Sequence, residues 1–232
     1  MQTNVKTCSI MQPTFLPWSG YFNLIKNSDF FVFLSDSDFQ KNSWHNRNQI
    51  LMNGKINWLT CPVNRSSLGT PLYEMTLIPD NGWKRKNNLT LEQNYKKTDH
   101  FEDIKFIIDF FQNNSFTKLV DLNVYLIKAI SEKLGLETKF YDSREFKITS
   151  NRSEKLLEII SNLNCNRYLS PLGAKDYINK DDVLPKSHVS IEYQNFIPAP
   201  YKQLRSKDFI SHLSILDVIS NIGLHEAKKY IE

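Results

Sequence analysis

The side chains best able to do chemistry gather in four short stretches and one helix. Gln12 to Tyr21 carries an amide, then Trp18 and Tyr21 beside two prolines. Asp36, Asp38 and Lys41 open a polar stretch that continues through Trp44, Asn46 and Arg47. Tyr168 to Gly173 holds Tyr168 and Ser170, and Tyr201 to Gln203 brings a second amide, Gln203. Two carboxylates as close as Asp36 and Asp38 oppose each other's ionisation, which lifts one towards a general base useful near neutral pH. The same pair could cap a turn. Arg47 between two asparagines suits a bidentate phosphate contact or a bridge from loop to core. Trp18, Tyr21 and Trp44 could carry a sugar ring or a base, or simply pack inside. Asp217 stands between Leu216 and Val218, where a buried carboxylate needs a partner.

Several chemistries are disfavoured. With 7 glycines in 232 residues, and neither GxGxxG nor GxxxxGK[ST], a glycine-rich phosphate loop is not expected. Cys8, Cys61 and Cys165 are far apart, and the five histidines form no paired spacing. No metal centre or disulfide framework is expected, and the thiols read as small buried apolar groups. The net charge of +4 is scattered, and Lys84-Arg85-Lys86 is too short a run for a nucleic-acid stripe. No apolar run approaches the ~18 residues of a membrane span, and none follows the polar opening Met1 to Cys8. The expectation is a cytoplasmic protein with no membrane span, no nucleic-acid partner and no tightly bound cofactor.

The elements that must position these groups can be read from periodicity. Thr7 to Gln12 reads as a strand, followed by a rigid turn at Pro13 and Pro17 and a helix over Tyr21 to Ile25 capped by Ser19. Phe30 to Leu34 is a continuous apolar run, as in a strand covered on both faces. Strand, helix and strand within about 30 residues make a βαβ unit and a parallel sheet. Asn53-Gly54 marks a hairpin, and Glu74 to Ile78 suggests a third short strand. Three helices follow over Trp83–Tyr95, Phe101–Phe111 and Leu122–Leu134, the last stopped by Gly135. Then come a strand at Lys139–Tyr141, a helix capped by Asn151 and Glu154, a strand at Arg167–Leu169 and a helix from Asp176. Val189, Ile191 and Tyr193 alternate as an edge strand does. An apolar helix from Ser214 closes at Gly223. The sum is one α/β domain over residues 1–232: Rossmann-like, three-layered, with a mostly parallel sheet and a hairpin-and-helix insertion at roughly 49–120. In such sheets ligands bind outside the carboxyl ends of the strands. The four polar stretches all fall there.

Gln12-Pro13-x-x-x-Pro17-Trp18-x-Gly20-Tyr21-Phe22 resembles the opening motif of WbqC-like proteins. The likeness continues through Lys41-x-Ser43-Trp44-x-Asn46-Arg47-Asn48-x-Ile50 and Trp58-Leu59-x-x-Pro62-Val63. It returns at Trp83, Thr90-Leu91 and Tyr95, at Tyr168-Leu169-Ser170-x-x-Gly173, at Tyr201-x-Gln203, and at Ser214-Ile215-Leu216-Asp217 with Gly223. Two positions depart. Ser35-Asp36-Ser37-Asp38 replaces the family's Asp-Asp-Val-Gln, and Asn87 stands where a histidine is expected.

The resemblance implies a place in O-antigen or capsule biosynthesis. The expected activity is acyl or aminoacyl transfer to the amine of a nucleotide-linked amino sugar, from a coenzyme A or carrier-protein thioester. Asp36 or Asp38 would be the base. Lys41, Gln12, Asn46, Arg47 and Gln203 would orient substrate or stabilise charge, and Trp18, Tyr21 and Trp44 would form the platform. Tyr168, Ser170 and Asp217 complete the expected lining. Two alternatives stand beside it: a non-catalytic nucleotide-sugar-binding module, and a diverged nucleotidylyltransferase in which Trp18 and Tyr21 occupy the histidine positions of a T/H-x-G-H loop.

Overall fold

The computed structural model describes residues 5–232, so Met1–Asn4 of the polar opening lie outside the described residues. Along the chain run β1 (Thr7–Met11), α1 (Ser19–Lys26), β2 (Phe30–Phe33), β3 (Arg47–Met52), β4 (Lys55–Thr60) and α2 (Trp83–Tyr95). There follow α3 (Lys105–Asn113), α4 (Leu119–Lys133), β5 (Lys139–Asp142) and α5 (Arg152–Asn162). The chain ends with β6 (Arg167–Ser170), α6 (Lys175–Asp181), β7 (Ser190–Tyr193) and α7 (Ile215–Tyr230).

Five strands form one parallel sheet in the order β5-β2-β1-β6-β7. Its central strands are apolar on both faces because both are covered. Phe31 and Phe33 pack with Tyr21, Phe22 and Ile25 of α1 and with Leu216 and Ile219 of α7. Cys8, Ile10 and Val32 face the other way, against Leu156, Ile159 and Ile160 of α5 and Ile178 of α6. This is the expected three-layer, Rossmann-like arrangement. Right-handed crossovers require the helices to change face when the strand order reverses. The reversal falls between β1, which leads to β2 on one side, and β6, which leads to β7 on the other.

The hairpin and helices α2 to α4 are inserted between β2 and β5 and pack on the α1/α7 side. Ile50, Leu59, Leu91, Ile107 and Leu126 share one core with Phe31 and Phe33. The hairpin turns at Asn53 (φ 50) and Gly54 (φ 76), the paired left-handed residues that an Asn-Gly turn supplies. A Cβ at Gly54 would lie 2.4 Å from the Arg205 carbonyl oxygen, so a distant loop seats directly on this turn.

Four local expectations are corrected. Ser19 is the first helical residue, and Trp18 takes the N-cap position without a side-chain bond. Asn151 makes no side-chain cap, and Arg152 after it has φ 52; the capping box forms instead at Asp142 and Glu145. Glu74 to Ile78 yields only isolated bridges, Val63 to Leu77 and Thr76 to Lys118. Gly223 (φ 81, ψ 162) kinks α7 without ending it, because Ala227 and Ile231 beyond it still bury in the core. Among the described residues no helix is long and apolar enough to cross a membrane.

Candidate functional site

Outside the carboxyl ends of β1 and β6, where the strand order reverses, two adjoining hollows open. The smaller, about 230 Å³, is walled by Met11, Thr14, Trp18, Trp44, Asn48 and His212. The larger, about 410 Å³, shares Met11, Trp18, Tyr21 and His212 and reaches Pro171 and Gly173 after β6. Open parallel sheets bind ligands at such a switch point. A bigger depression of about 560 Å³ runs over Asn27, Arg167, Glu192 and Tyr193. It flanks edge strand β7 rather than the strand ends, and its Arg167 is already paired with Glu192, so the crevice at β1 and β6 is the stronger candidate.

The walls are held tightly. The Trp18 indole folds back over Gly20, where a Cβ would stand 2.2 Å from the ring. Its face stacks on His212, with ring centroids 4.6 Å apart and planes 28° from parallel. Leu16 (φ 44) and His212 (φ 61) are non-glycine residues in the left-handed region, a strain that persists where surroundings impose it. Asn48 imposes it at Leu16, donating to the carbonyls of Phe15 (3.1 Å) and Leu16 (2.9 Å). Asn123 adds bonds to the carbonyls of Pro13 and His45. On the other wall, Trp18 bridges to Ser214, whose amide donates to the Gln49 carbonyl. Strand-loop, hairpin and α7 are thereby joined around one opening.

Beneath it runs a relay of polar groups. The Gln40 amide donates to His45 Nδ1 (3.2 Å), so the ring proton sits on Nε2 and is given to Gln12 Oε1 at 2.9 Å. Burial pushes the imidazole down to about 4, and His45 is neutral at pH 7. The relay fixes the Gln12 amide through its oxygen. Among the described residues its Nε2 has no protein acceptor.

The other sequence-selected residues fall into three groups. Trp44 lines the smaller hollow and is 46% exposed, with its ring 5.2 Å from Trp58. Arg47 lies over Trp58, its guanidinium carbon 4.1 Å from the ring centroid. Asn46 turns inward to the Cys61 carbonyl and braces the base of the hairpin.

The second group lies at the ends of β2 and β5. Asp36 accepts from Ser143 Oγ (2.7 Å) and pairs with Lys155. Asp38 is exposed and joins Pro71 through a backbone bridge, and Lys41 is exposed. The two carboxylates thus have separate surroundings.

The third group is buried. Tyr168 faces the α5/α6 core, and Ser170 is fully enclosed, donating to the Pro171 carbonyl. Asp217 accepts from Tyr201 (2.7 Å), Tyr95 (3.0 Å) and Gln203 Nε2 (3.0 Å). Burial lifts its carboxyl above the ordinary range against those hydrogen bonds. Gln203 also grips both backbone groups of Ile210, so it shapes the loop carrying His212 without reaching the crevice. Asn87, at the position of the expected family histidine, donates to the Thr60 carbonyl under the hairpin.

Sequence reasoning missed His45, Asn48 and His212. Neither histidine has the paired spacing that would single it out. The available signals were the Trp44–Asn48 run for two of them, and the place of His212 just ahead of the Ser214 cap.

A doubly wound α/β protein with an aromatic crevice at its switch point is the class that fold and site define. The sequence profile of the WbqC-like protein family matches residues 12–229, and the chain belongs to that family. It is 30% identical over 230 residues to the uncharacterized protein Rv1507c of Mycobacterium tuberculosis (strain ATCC 25618 / H37Rv), covering 98% of each chain. No solved structure matches.

Proposed function

We propose that this protein transfers an acyl or aminoacyl group from a coenzyme A or carrier-protein thioester to the amine of a nucleotide-linked amino sugar, in the assembly of a bacterial surface polysaccharide. The observation that carries the reading is the crevice itself. An aromatic wall, Trp18 and Trp44, lines the hollow with an accessible imidazole, His212, and Gln12, next in sequence to the lining Met11, keeps a free amide donor. Stacking on an indole suits a sugar ring, and the few polar groups fix its orientation.

The chemistry needs no covalent nucleophile. The sugar amine attacks the thioester carbonyl carbon and passes its proton to His212 Nε2. The carbonyl oxygen gathers charge and takes a hydrogen bond from Gln12 Nε2. Collapse expels the thiolate, which recovers a proton, giving an amide and a free thiol. A positioned base contributes ~10²–10⁴-fold and an oxyanion donor ~10²–10³-fold. Assigning the base to His212 rather than to Asp36 or Asp38 rests on their surroundings: Asp36 is occupied by Lys155 and Ser143, and Asp38 faces solvent.

The test is thiol release from acyl-coenzyme A in the presence of nucleotide-linked amino sugars, compared with their non-aminated counterparts. Release is expected only with an amine acceptor, and weakly with Trp18→Ala. A protein that binds nucleotide-sugars and leaves them unchanged with every thioester is a binding module, and the transfer reading falls.

A further inference from the structure

The crevice does not end at Trp44. Arg47 lies opposite Thr60 and Gln49 opposite Trp58, so Arg47, Gln49 and Trp58 share the outer face of the hairpin. Trp58 is 41% exposed and Trp44 46% exposed, an unusual amount of indole to leave in water. Arg47 lies across Trp58. Its Nη2 reaches the Asn42 carbonyl, while its Nε is buried without a partner. A buried donor left unpaired is uncommon and calls for an acceptor. Lys41 and Lys55 stand exposed near the two ends of this face, and no carboxylate lies between Asp38 and Glu74 in sequence. Aromatic faces beside a guanidinium and uncompensated positive charge match a planar base joined to phosphates.

We infer that the outer face of the β3–β4 hairpin, Trp58 and Arg47 continuing from Trp44, is the subsite for the nucleoside diphosphate handle of the acceptor. The base stacks on the exposed indoles, and the guanidinium takes the phosphates. Trp44, shared by hairpin face and crevice, then marks where handle gives way to sugar. This rests on the transfer reading for the sugar's position, but handle binding can be measured without turnover.

The experiment is a titration of the full chain with uridine diphosphate, thymidine diphosphate, the parent nucleosides and coenzyme A, followed by calorimetry. Trp58→Ala should weaken a preferred nucleoside diphosphate by roughly 5- to 100-fold, the range of one lost stacking partner, and Trp58→Phe should recover most of it. Arg47→Gln should weaken the diphosphate by roughly tenfold or more and leave the nucleoside unchanged. Arg47→Lys, which keeps charge without the fork, should recover it only in part. Melting curves confirm that each variant is folded. Unchanged diphosphate affinity in folded Trp58→Ala and Arg47→Gln overturns the subsite, and so does coenzyme A binding that alone depends on both residues. Diphosphate binding that needs Trp58, with no transfer to any amino sugar, leaves the subsite standing and removes the transfer reading.

Discussion

Two groups of polar side chains crown the same sheet, and they differ in what they leave undone. Over β2 and β5, the two partly buried carboxylates are answered. Asp36 holds Lys155 and Ser143, while Asp142 holds Arg144 and Ser35. Over β1 and β6, the Gln12 amide keeps a free donor, His212 faces an open hollow, and the backbone is strained on both walls. Saturated charge clusters stabilise a fold, whereas unsatisfied, rigidly placed groups await a ligand. Strand order explains the division, since the opening exists only where neighbouring connections leave in opposite directions.

The contrast can be broken most directly by exchanging roles. His212→Gln should lower turnover by ~10²–10⁴-fold, the worth of a general base, with little change in melting temperature. Asp36→Asn should keep turnover within a few-fold but cost about 1–2 kcal/mol of stability, because Lys155 loses its partner. If Asp36→Asn abolishes turnover and His212→Gln does not, the two groups have been assigned the wrong way round.

A second effect separates support from chemistry. His45 ionises at about 4 when folded and near 6.5 in a free chain. Its contribution is complete above pH 6.5 and is lost as pH falls through 4, on the order of 3 kcal/mol. Denaturant titrations across that window should show the loss in the parent and a flatter profile in His45→Gln. A third variant sharpens the picture at the wall. Gly20→Ala drives a methyl into the Trp18 indole, and KM for the sugar should rise by roughly tenfold with kcat less affected. The smallest effect is expected at Asp38→Asn: exposed and free of side-chain partners, it should shift stability by less than ~0.5 kcal/mol and leave steady-state rates within error.

Much of the frame was legible because its signals are local. The apolar run at Phe30–Phe33, the Asn53-Gly54 turn and the 3/4 spacing of α3 and α4 each depend on a few adjacent residues. Ser19 and Asn151 carry good capping chemistry, yet the incoming backbone decided whether they used it. At the site, the polar stretch after β1 is legible only as the segment that follows a strand. His212 was invisible because its value comes from Trp18, nearly two hundred residues earlier. Asp217 was recognisable as a carboxylate needing a partner, but not as one meeting Tyr95, Tyr201 and Gln203 at once. For the same reason Asp36 looked like half of an acidic pair: Lys155 and Ser143, which claim it, are distant in sequence.

The pairing of β1 with β6 joins segments 160 residues apart, as the bond from Ser9 to Leu169 shows. During synthesis, therefore, the middle strand leaves the ribosome long before its second neighbour exists. Assembly has to bring the far end of the polypeptide home, a slow kind of closure. The crevice also waits for His212, so a nascent chain that stops short of the loop before α7 lacks one of its walls.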